Sequence, residues 1–390
     1  MTAPETVQVM AALGEARFVG GAVRNALLGV PVVDIDIAVP IRPEDAMARL
    51  KAKGIRTIET GLDHGTVTAI AGSHAFEITS LRRDVETDGR HAKVAFTDDW
   101  ALDAGRRDFT INALYASPDG EIFDYATGVE DLAAGKVRFV GDARIRIAED
   151  YLRVLRLFRF HAWYGRGDLD AEGLTAATEA KDRLKTLSAE RIAKEVLRLL
   201  EAPNPAPVLK VMAARGILAE LLPGQLQLVR VEQLALLDTS RDAVLRLAAL
   251  VPDGAQAANA AADRLRLSNV GRARLVQALS GETISAGLSS HQARRMLYRL
   301  GQACFRDKLL LQWAGAPAKE EAWRALLQIA DGWQAPRFPL TGRDVMQAGV
   351  PEGPEVGRVL AGLETWWVEG DFAAGEKELR ARLKDMIGKA

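Results

Sequence analysis

The chain has 390 residues and 48% hydrophobic content, too long and too apolar for a disordered tail or a disulfide miniprotein. Its 51 Lys and Arg balance 52 Asp and Glu, which excludes a uniformly cationic nucleic-acid coat but not a local basic surface, because steering depends on where charges sit. The lone cysteine, Cys304, excludes an internal disulfide, and five scattered histidines give no metal spacing.

In chain order, the opening MTAPETVQVMAALGEARFVGG lacks a basic segment followed by a long apolar one, and no run of about 18 uncharged apolar residues follows. This predicts a cytoplasmic protein with no membrane span and no obligatory protein partner. Residues 1–125 alternate β-branched runs with helical patterns (ARFVGG, AVRNALLG, VVDIDIAV, PEDAMARLKAKG, TVTAIAG, AFEITSL), the pattern of a small α/β domain. The segment 84–99 is polar and contains glycine, which predicts a mobile loop whose Arg90 reaches a neighbouring site on closure. From about Asp142 the strand signals vanish. Leu, Ala, Arg and Glu recur at helical spacing, with breaks near 203–207, 223–224, 252–254 and 281–287, so the remaining two-thirds is expected to be almost wholly helical.

Within the α/β part, Phe18–Gly21 ends a strand and Ala22–Leu28 continues as a helix that Gly29 caps. Missing β-carbons at Gly20 and Gly21 allow close approach of backbone N–H groups to a triphosphate, and Arg24 adds charge-assisted bonds. Asp34 and Asp36 then interrupt the apolar run Val32–Val39. Side chains alternate along a strand, so both carboxylates point to one face and Val33, Ile35 and Ile37 to the other. Like charges held this close are costly unless cations neutralise them, and Mg²⁺, which prefers carboxylate and phosphate oxygens, is the natural occupant. Glu77 interrupts a second apolar strand. It either completes a metal triad, if its strand neighbours that of Asp34, or occupies the surface of an edge strand; Arg82 and Arg83 follow at once.

Charge is uneven in the helical part. Residues 241–310 hold 11 Lys and Arg against 5 acids, a local surplus suited to a phosphate-rich partner. Arg264, Arg266, Arg272, Arg274, Arg294, Arg295 and Arg299 are the candidate contacts, against the ordinary reading of each as a solvated helix face.

The ordered runs Gly20-Gly21-Ala22-Val23-Arg24, Leu28-Gly29, Asp34-Ile35-Asp36-Ile37-Ala38, Arg106-Arg107-Asp108-Phe109-Thr110-Ile111-Asn112-Ala113-Leu114 and Glu149-Asp150-Tyr151-Leu152-Arg153-Val154-Leu155-Arg156 resemble the motifs of class II tRNA nucleotidyltransferases. These are the CCA-adding enzymes and their relatives, the bacterial poly(A) polymerases. The resemblance spans about residues 1–200, with a weaker C-terminal pattern at Thr341–Met346 and Gly353-Pro354.

The resemblance implies an α+β protein: a nucleotidyltransferase head with a mixed sheet over 1–140, a helical base-recognising neck over 141–203, and a helical body and tail over 204–390 that binds tRNA. It implies template-independent addition of C, C and A to the 3′ end of tRNA from CTP and ATP, with two Mg²⁺ at Asp34 and Asp36 and loss of pyrophosphate. Cytosine and adenine both present an amine donor beside a ring-nitrogen acceptor, which a carboxylate and a guanidinium complement. Asp150 and Arg153 match the family's base-reading pair, and their i, i+3 spacing places them on one helix face. Arg106, Arg107 and Asp108 match the element that holds ribose and phosphates, with Asn112 assisting and Arg156 in the same nucleotide-binding set. Ser188 is an N-cap candidate, with Arg191 facing the site. Asn25 departs from the family, which carries Asp there, so an ionic tether to a neighbouring Arg is in doubt. The same head motifs also suit a poly(A) polymerase or a partial CC- or A-adding enzyme. The run Asp63-His64-Gly65-Thr66-Val67 and the absence of a basic tail favour full CCA addition.

Overall fold

The structure, a computed structural model, describes residues 1–88 and 91–388. It divides into two compact units, Met1–Pro223 with Arg264–Arg266, and Gly224–Asp263 with Leu267–Ala390. No helix among the described residues is long and apolar enough to cross a membrane.

The first unit begins with α1 (Pro4–Leu13), β1 (Arg17–Val19), α2 (Gly21–Leu27), β2 (Ile35–Val39), α3 (Pro43–Ala52), β3 (Arg56–Gly61), β4 (Thr66–Ala71) and β5 (His74–Ser80). A hairpin of β6 (Arg82–Asp88) and β7 (His91–Phe96) follows, then α4 (Trp100–Gly105), β8 (Leu114–Ala116) and β9 (Ile122–Asp124). Seven strands form the mixed sheet that the motifs imply, in the order β3-β4-β5-β2-β1-β8-β9, with β2 and β5 parallel and the other neighbours antiparallel. Ile37 and Val39 on β2, Phe76 and Ile78 on β5 and Tyr115 on β8 are buried against the helices and fix the register. In that register Asp36 lies opposite Glu77, so the Glu77 strand is the direct neighbour of the Asp36 strand.

Two expectations about this region change. The run Val32–Val39 is not one buried strand, because pairing starts only at Ile35; Asp34 precedes β2 and Val33 is 85% exposed. The segment expected as a mobile loop is largely β6 and β7, whose backbones pair over Arg82–Phe96 with an irregularity between Asp84 and Glu86. A two-stranded ribbon outside the main sheet draws its order from backbone pairing, so it needs no apolar alternation. Arg90, placed in that loop, lies outside the described residues.

Helices α5 (Gly128–Ala134), α6 (Ala143–Glu149), α7 (Leu152–Tyr164), α8 (Ala171–Glu179), α9 (Ala189–Leu200), α10 (Ala206–Ala214) and α11 (Ile217–Leu221) complete this unit. α7 buries Val154, Leu155, Leu157, Phe158 and His161, and packs along the Ile192, Val196, Leu199 stripe of α9. That leaves Arg153, Arg156 and Arg159, three residues apart, on a common side of α7. The first unit runs on to Pro223, as α10 packs on α7 and α11 on the turn Lys181–Thr186. Ser188 occupies the N-cap position of α9 without making a side-chain cap.

The second unit consists of ten helices among the described residues, α12 (Leu228–Leu237) through α21 (Glu376–Ile387). Its C-terminal core gathers Leu340, Val345, Leu363, Trp367, Leu379 and Leu383, with Tyr298 edge-on to Trp367 at 6.0 Å.

α5 packs against the 3₁₀ turn Thr110–Asn112, and a Cβ at Gly128 would stand 2.2 Å from the Thr110 carbonyl oxygen. Gly128→Ala is therefore expected to cost roughly 1–3 kcal/mol by overpacking. A lowered urea midpoint at unchanged slope is the expected result; an unchanged midpoint would contradict the contact.

Candidate active site

The mixed sheet, α2 and α7 converge on a cleft of about 820 Å³ within the first unit. Gly20, Gly21, Arg24, Asp34, Asp36, Glu77, Arg106, Arg107, Asp108, Asn112, Asp150, Arg153 and Arg156, all named from the sequence, line it. Arg191 lines it as well, together with Arg159, Phe160, Leu152 and Lys194, which sequence reasoning missed although Arg159 continues the Arg153, Arg156 spacing. Arg82 does not line it; its backbone N–H donates to Asp103 Oδ1 at 3.2 Å, behind the cleft wall.

Gly20 has φ +65, a conformation that favours glycine. A Cβ there would lie 3.4 Å from Arg107 Nη1, and one at Gly21 would lie 3.6 Å from Arg24 Nη2. Two guanidiniums therefore flank the glycine turn. With only seven residues in α2, these side chains rather than the helix end supply the positive charge. Facing them, Asp34 and Glu77 are exposed and Asp36 is half-buried. Burial, then the neighbouring Glu77 carboxylate and more weakly Asp34, push the Asp36 carboxyl above its usual range against the opposing pull of Arg107. Glu77 stands on the neighbouring parallel strand opposite Asp36 and not on an edge strand, the placement that a role beside the carboxylate pair requires.

Behind this wall, buried carboxylates hold the arginines. Asp103, 1% exposed, accepts from Arg106 Nε at 2.8 Å, Arg107 Nη2 at 3.2 Å and the Tyr115 hydroxyl at 2.6 Å. Burial pushes its carboxyl up, yet Arg107 and Arg106 outweigh this and hold it below the usual range. Asp108 accepts from Arg156 Nε at 2.8 Å and from Asn112 Nδ2 at 3.0 Å. Here too burial is overcome, chiefly by Arg156, and the carboxyl is held at about 2. Glu195, 6% exposed and not foreseen, takes Arg159 Nε at 2.5 Å.

The expected base-reading pair is arranged differently from a single helix face. Asp150 lies in the break between α6 and α7, with its carboxylate 2.7 Å from Arg191 Nη2. Arg153 sits in the first turn of α7 and donates to Glu149 and, at 2.7 Å, to the Arg146 carbonyl. The extended backbone of Asp150 interrupts the helix, so a shared cleft rather than a shared helix face brings the two together.

The seven arginines expected to form a free basic surface are engaged within the protein. Arg266 pairs with Glu190 at 2.6 Å, Arg272 with Asp263, Arg274 with Asp307 and Asp242 at 2.7 Å each, Arg294 with Asp371 at 2.8 Å, Arg295 with Glu369 at 3.6 Å and Arg299 with Glu282 at 3.3 Å. Arg264 donates to the Glu220 carbonyl at 2.9 Å. Part of the local surplus arises because Glu190, Asp331, Glu369 and Asp371 lie outside the window that holds their arginines.

The chain that builds this glycine turn, its flanking guanidiniums and the facing carboxylates has matches among known proteins. The poly(A) polymerase head domain model matches residues 16–138, and the model of a probable RNA and SrmB-binding site of polymerase A matches 168–228. The mitochondrial CCA tRNA nucleotidyltransferase 1 of Mus musculus is 36% identical, covering 95% of this chain and 86% of that protein. The chain belongs to the family of CCA-adding tRNA nucleotidyltransferases. The CCA-adding enzyme of Levilactobacillus brevis is 30% identical, covering 95% of this chain and 94% of that protein. Among solved structures, the Bacillus stearothermophilus CCA-adding enzyme in complex with CTP superposes with a TM-score of 0.78 at 27% identity, covering 99% and 97% of the two chains. The Thermotoga maritima CCA-adding enzyme complexed with tRNA shares the fold, with a TM-score of 0.71 at 19% identity over 99% and 96%.

Asp108 gives this family member a specific acid sensitivity. Its folded value of about 2 lies below the ordinary value of 3.8, so its contribution is present above about pH 4 and is lost as pH falls through 2. The shift corresponds to about 2 kcal/mol. Asp108→Asn should be less stable at pH 7 and should lose less stability than the parent between about pH 4 and 2. Parallel pH–stability curves for the two proteins would contradict the Asp108–Arg156 assignment.

Proposed function

We propose that the protein adds C, C and A to the 3′ end of tRNA without a template, using CTP and ATP. The observation that carries this is the single cleft that joins the Gly20–Gly21 turn, the Asp34 and Asp36 carboxylates and the α7 arginines, in a chain of this family. The tRNA 3′-hydroxyl attacks the α-phosphorus, a new P–O bond forms, the bond to the β-phosphate breaks, and pyrophosphate leaves with the proton passing to solvent. Arg24 and Arg107 hold phosphate oxygens over the glycine turn, where no side chain obstructs them. Arg106 holds the ribose end, with Arg106 and Arg107 aimed by Asp103. Asp150 accepts from the amine of cytosine or adenine and Arg153 donates to the adjacent ring nitrogen; uracil and guanine present the opposite order.

The donor set fits Mg²⁺. The carboxylate pair suits an ion whose shell is completed by phosphate oxygens and water, and burial, with the neighbouring Glu77 and Asp34 carboxylates, raises the Asp36 carboxyl, a cost that a bound cation would relieve. Asp34 and Asp36 would hold it, where it supplies activation of the hydroxyl and neutralisation of the triphosphate. The matched 168–228 segment is a further candidate tRNA contact beside Arg264, Arg266, Arg272, Arg274, Arg294, Arg295 and Arg299, whose partly exposed ion pairs can yield to phosphate. A cytoplasmic location remains part of this reading, supported by the free thiol of Cys304.

The test supplies purified protein, Mg²⁺, CTP and ATP with tRNA ending before, within or after CCA. Addition of only the missing nucleotides, ending at the terminal A, is expected. Continued A addition would indicate a poly(A) polymerase, and addition of CC alone or A alone a partial enzyme. Asp36→Ala should abolish incorporation of both nucleotides, a loss of at least 10³-fold, while tRNA affinity stays within about twofold. Retained turnover would refute the role of the carboxylate pair.

A further inference from the structure

Seven arginines line the cleft, and six of them donate to a carboxylate: Arg106 and Arg107 to Asp103, Arg153 to Glu149, Arg156 to Asp108, Arg159 to Glu195 and Arg191 to Asp150. Arg24 is the exception. It is 6% exposed, and its acceptors are all uncharged. Asn25 Oδ1 takes Nε at 3.2 Å and Nη2 at 3.0 Å, the Tyr164 hydroxyl takes Nη2 at 2.8 Å, and Asn112 Oδ1 takes Nη1. Its guanidinium also lies over the Tyr164 ring, 3.9 Å from the centroid. The charges that act on it from further away are Arg159, of like sign, and Asp108, already engaged by Arg156.

This shell fixes the guanidinium without neutralising it. A buried cation with only neutral partners is costly to the empty protein, and the cost is recovered when an anion arrives. Asn25 decides the balance because it makes two of the contacts and sits beside Arg24 in sequence and space. A carboxylate of the same shape would make the same two contacts and cancel the charge.

We propose that Asn25 is a positioning residue that sets triphosphate affinity: its amide holds Arg24 in place and leaves the full guanidinium charge for phosphate oxygens. The proposal rests on the nucleotide-transfer reading above. It concerns phosphate rather than base, so CTP and ATP are affected alike.

Titration calorimetry with CTP and with pyrophosphate, over a range of salt, compares the parent protein with Asn25→Asp and Asn25→Ala. N25D should bind both probes about tenfold more weakly, the scale of one charge-assisted hydrogen bond, and with a flatter salt dependence. N25A, which removes the contacts without adding charge, should lose less than N25D. The empty N25D protein should melt no lower than the parent, which separates lost affinity from lost folding. Equal affinity of N25D and parent for both probes would overturn the proposal. So would an N25A loss as large as that of N25D, because the amide would then act through shape alone. A parent protein that binds neither probe would instead overturn the nucleotide-transfer reading, a result distinct from equal binding by all three.

Discussion

Seven guanidiniums share one cleft only because buried carboxylates on the protein side absorb most of their charge. Each of Asp103, Asp108 and Glu195 is nearly inaccessible, and each would be expensive to bury without its arginines. The arginines in turn would repel one another and spread into solvent without their anchors. The outcome is a set of fixed donors in the cleft wall, paired from behind. Arg24 alone among the seven is held by neutral groups, so net positive charge is concentrated beside the Gly20–Gly21 turn, opposite the Asp34 and Asp36 carboxylates. Positive and negative ends of one cleft, with space between them, suit a triphosphate whose other side must be bridged to acidic groups.

The sheet makes this division possible. β2 and β5 run side by side and in parallel, so Asp36 and Glu77 meet across one register, while β1 passes on the other side of β2 and delivers Gly20 at its end. α7 then crosses the cleft with its apolar face against α9 and its arginines toward the opening. Loss of one buried residue on β2 would therefore disturb carboxylates, glycines and arginines together.

Much of this was legible in the sequence. Asp34 and Asp36 stand out because charge interrupts an apolar run, and Gly20–Gly21 because two missing side chains fall between a strand and a helix. What could not be read was pairing over long separations. Asp103 stands at helical spacing from Arg106 and Arg107 and could be read locally, but Asp108 lies 48 residues from the Arg156 it holds and Glu195 36 residues from Arg159. The basic surplus over 241–310 has the same limit: counting along the chain misses Glu369 and Asp371, which reach Arg295 and Arg294 through the fold. The hairpin β6–β7 was hidden because backbone pairing leaves no apolar signature, and the break at Asp150 because φ and ψ of one residue are not encoded in an i, i+3 spacing.

A structure of the protein with CTP and Mn²⁺ tests the central claim most directly, that this cleft divides its charge between phosphate and metal. The triphosphate should lie over Gly20 and Gly21 within hydrogen-bond reach of Arg24 and Arg107, with anomalous signal from the metal against Asp34 and Asp36. CTP bound instead in the separate cavity of about 430 Å³ beside Phe139 and Tyr125, or with its phosphates turned away from Arg24, would contradict the account.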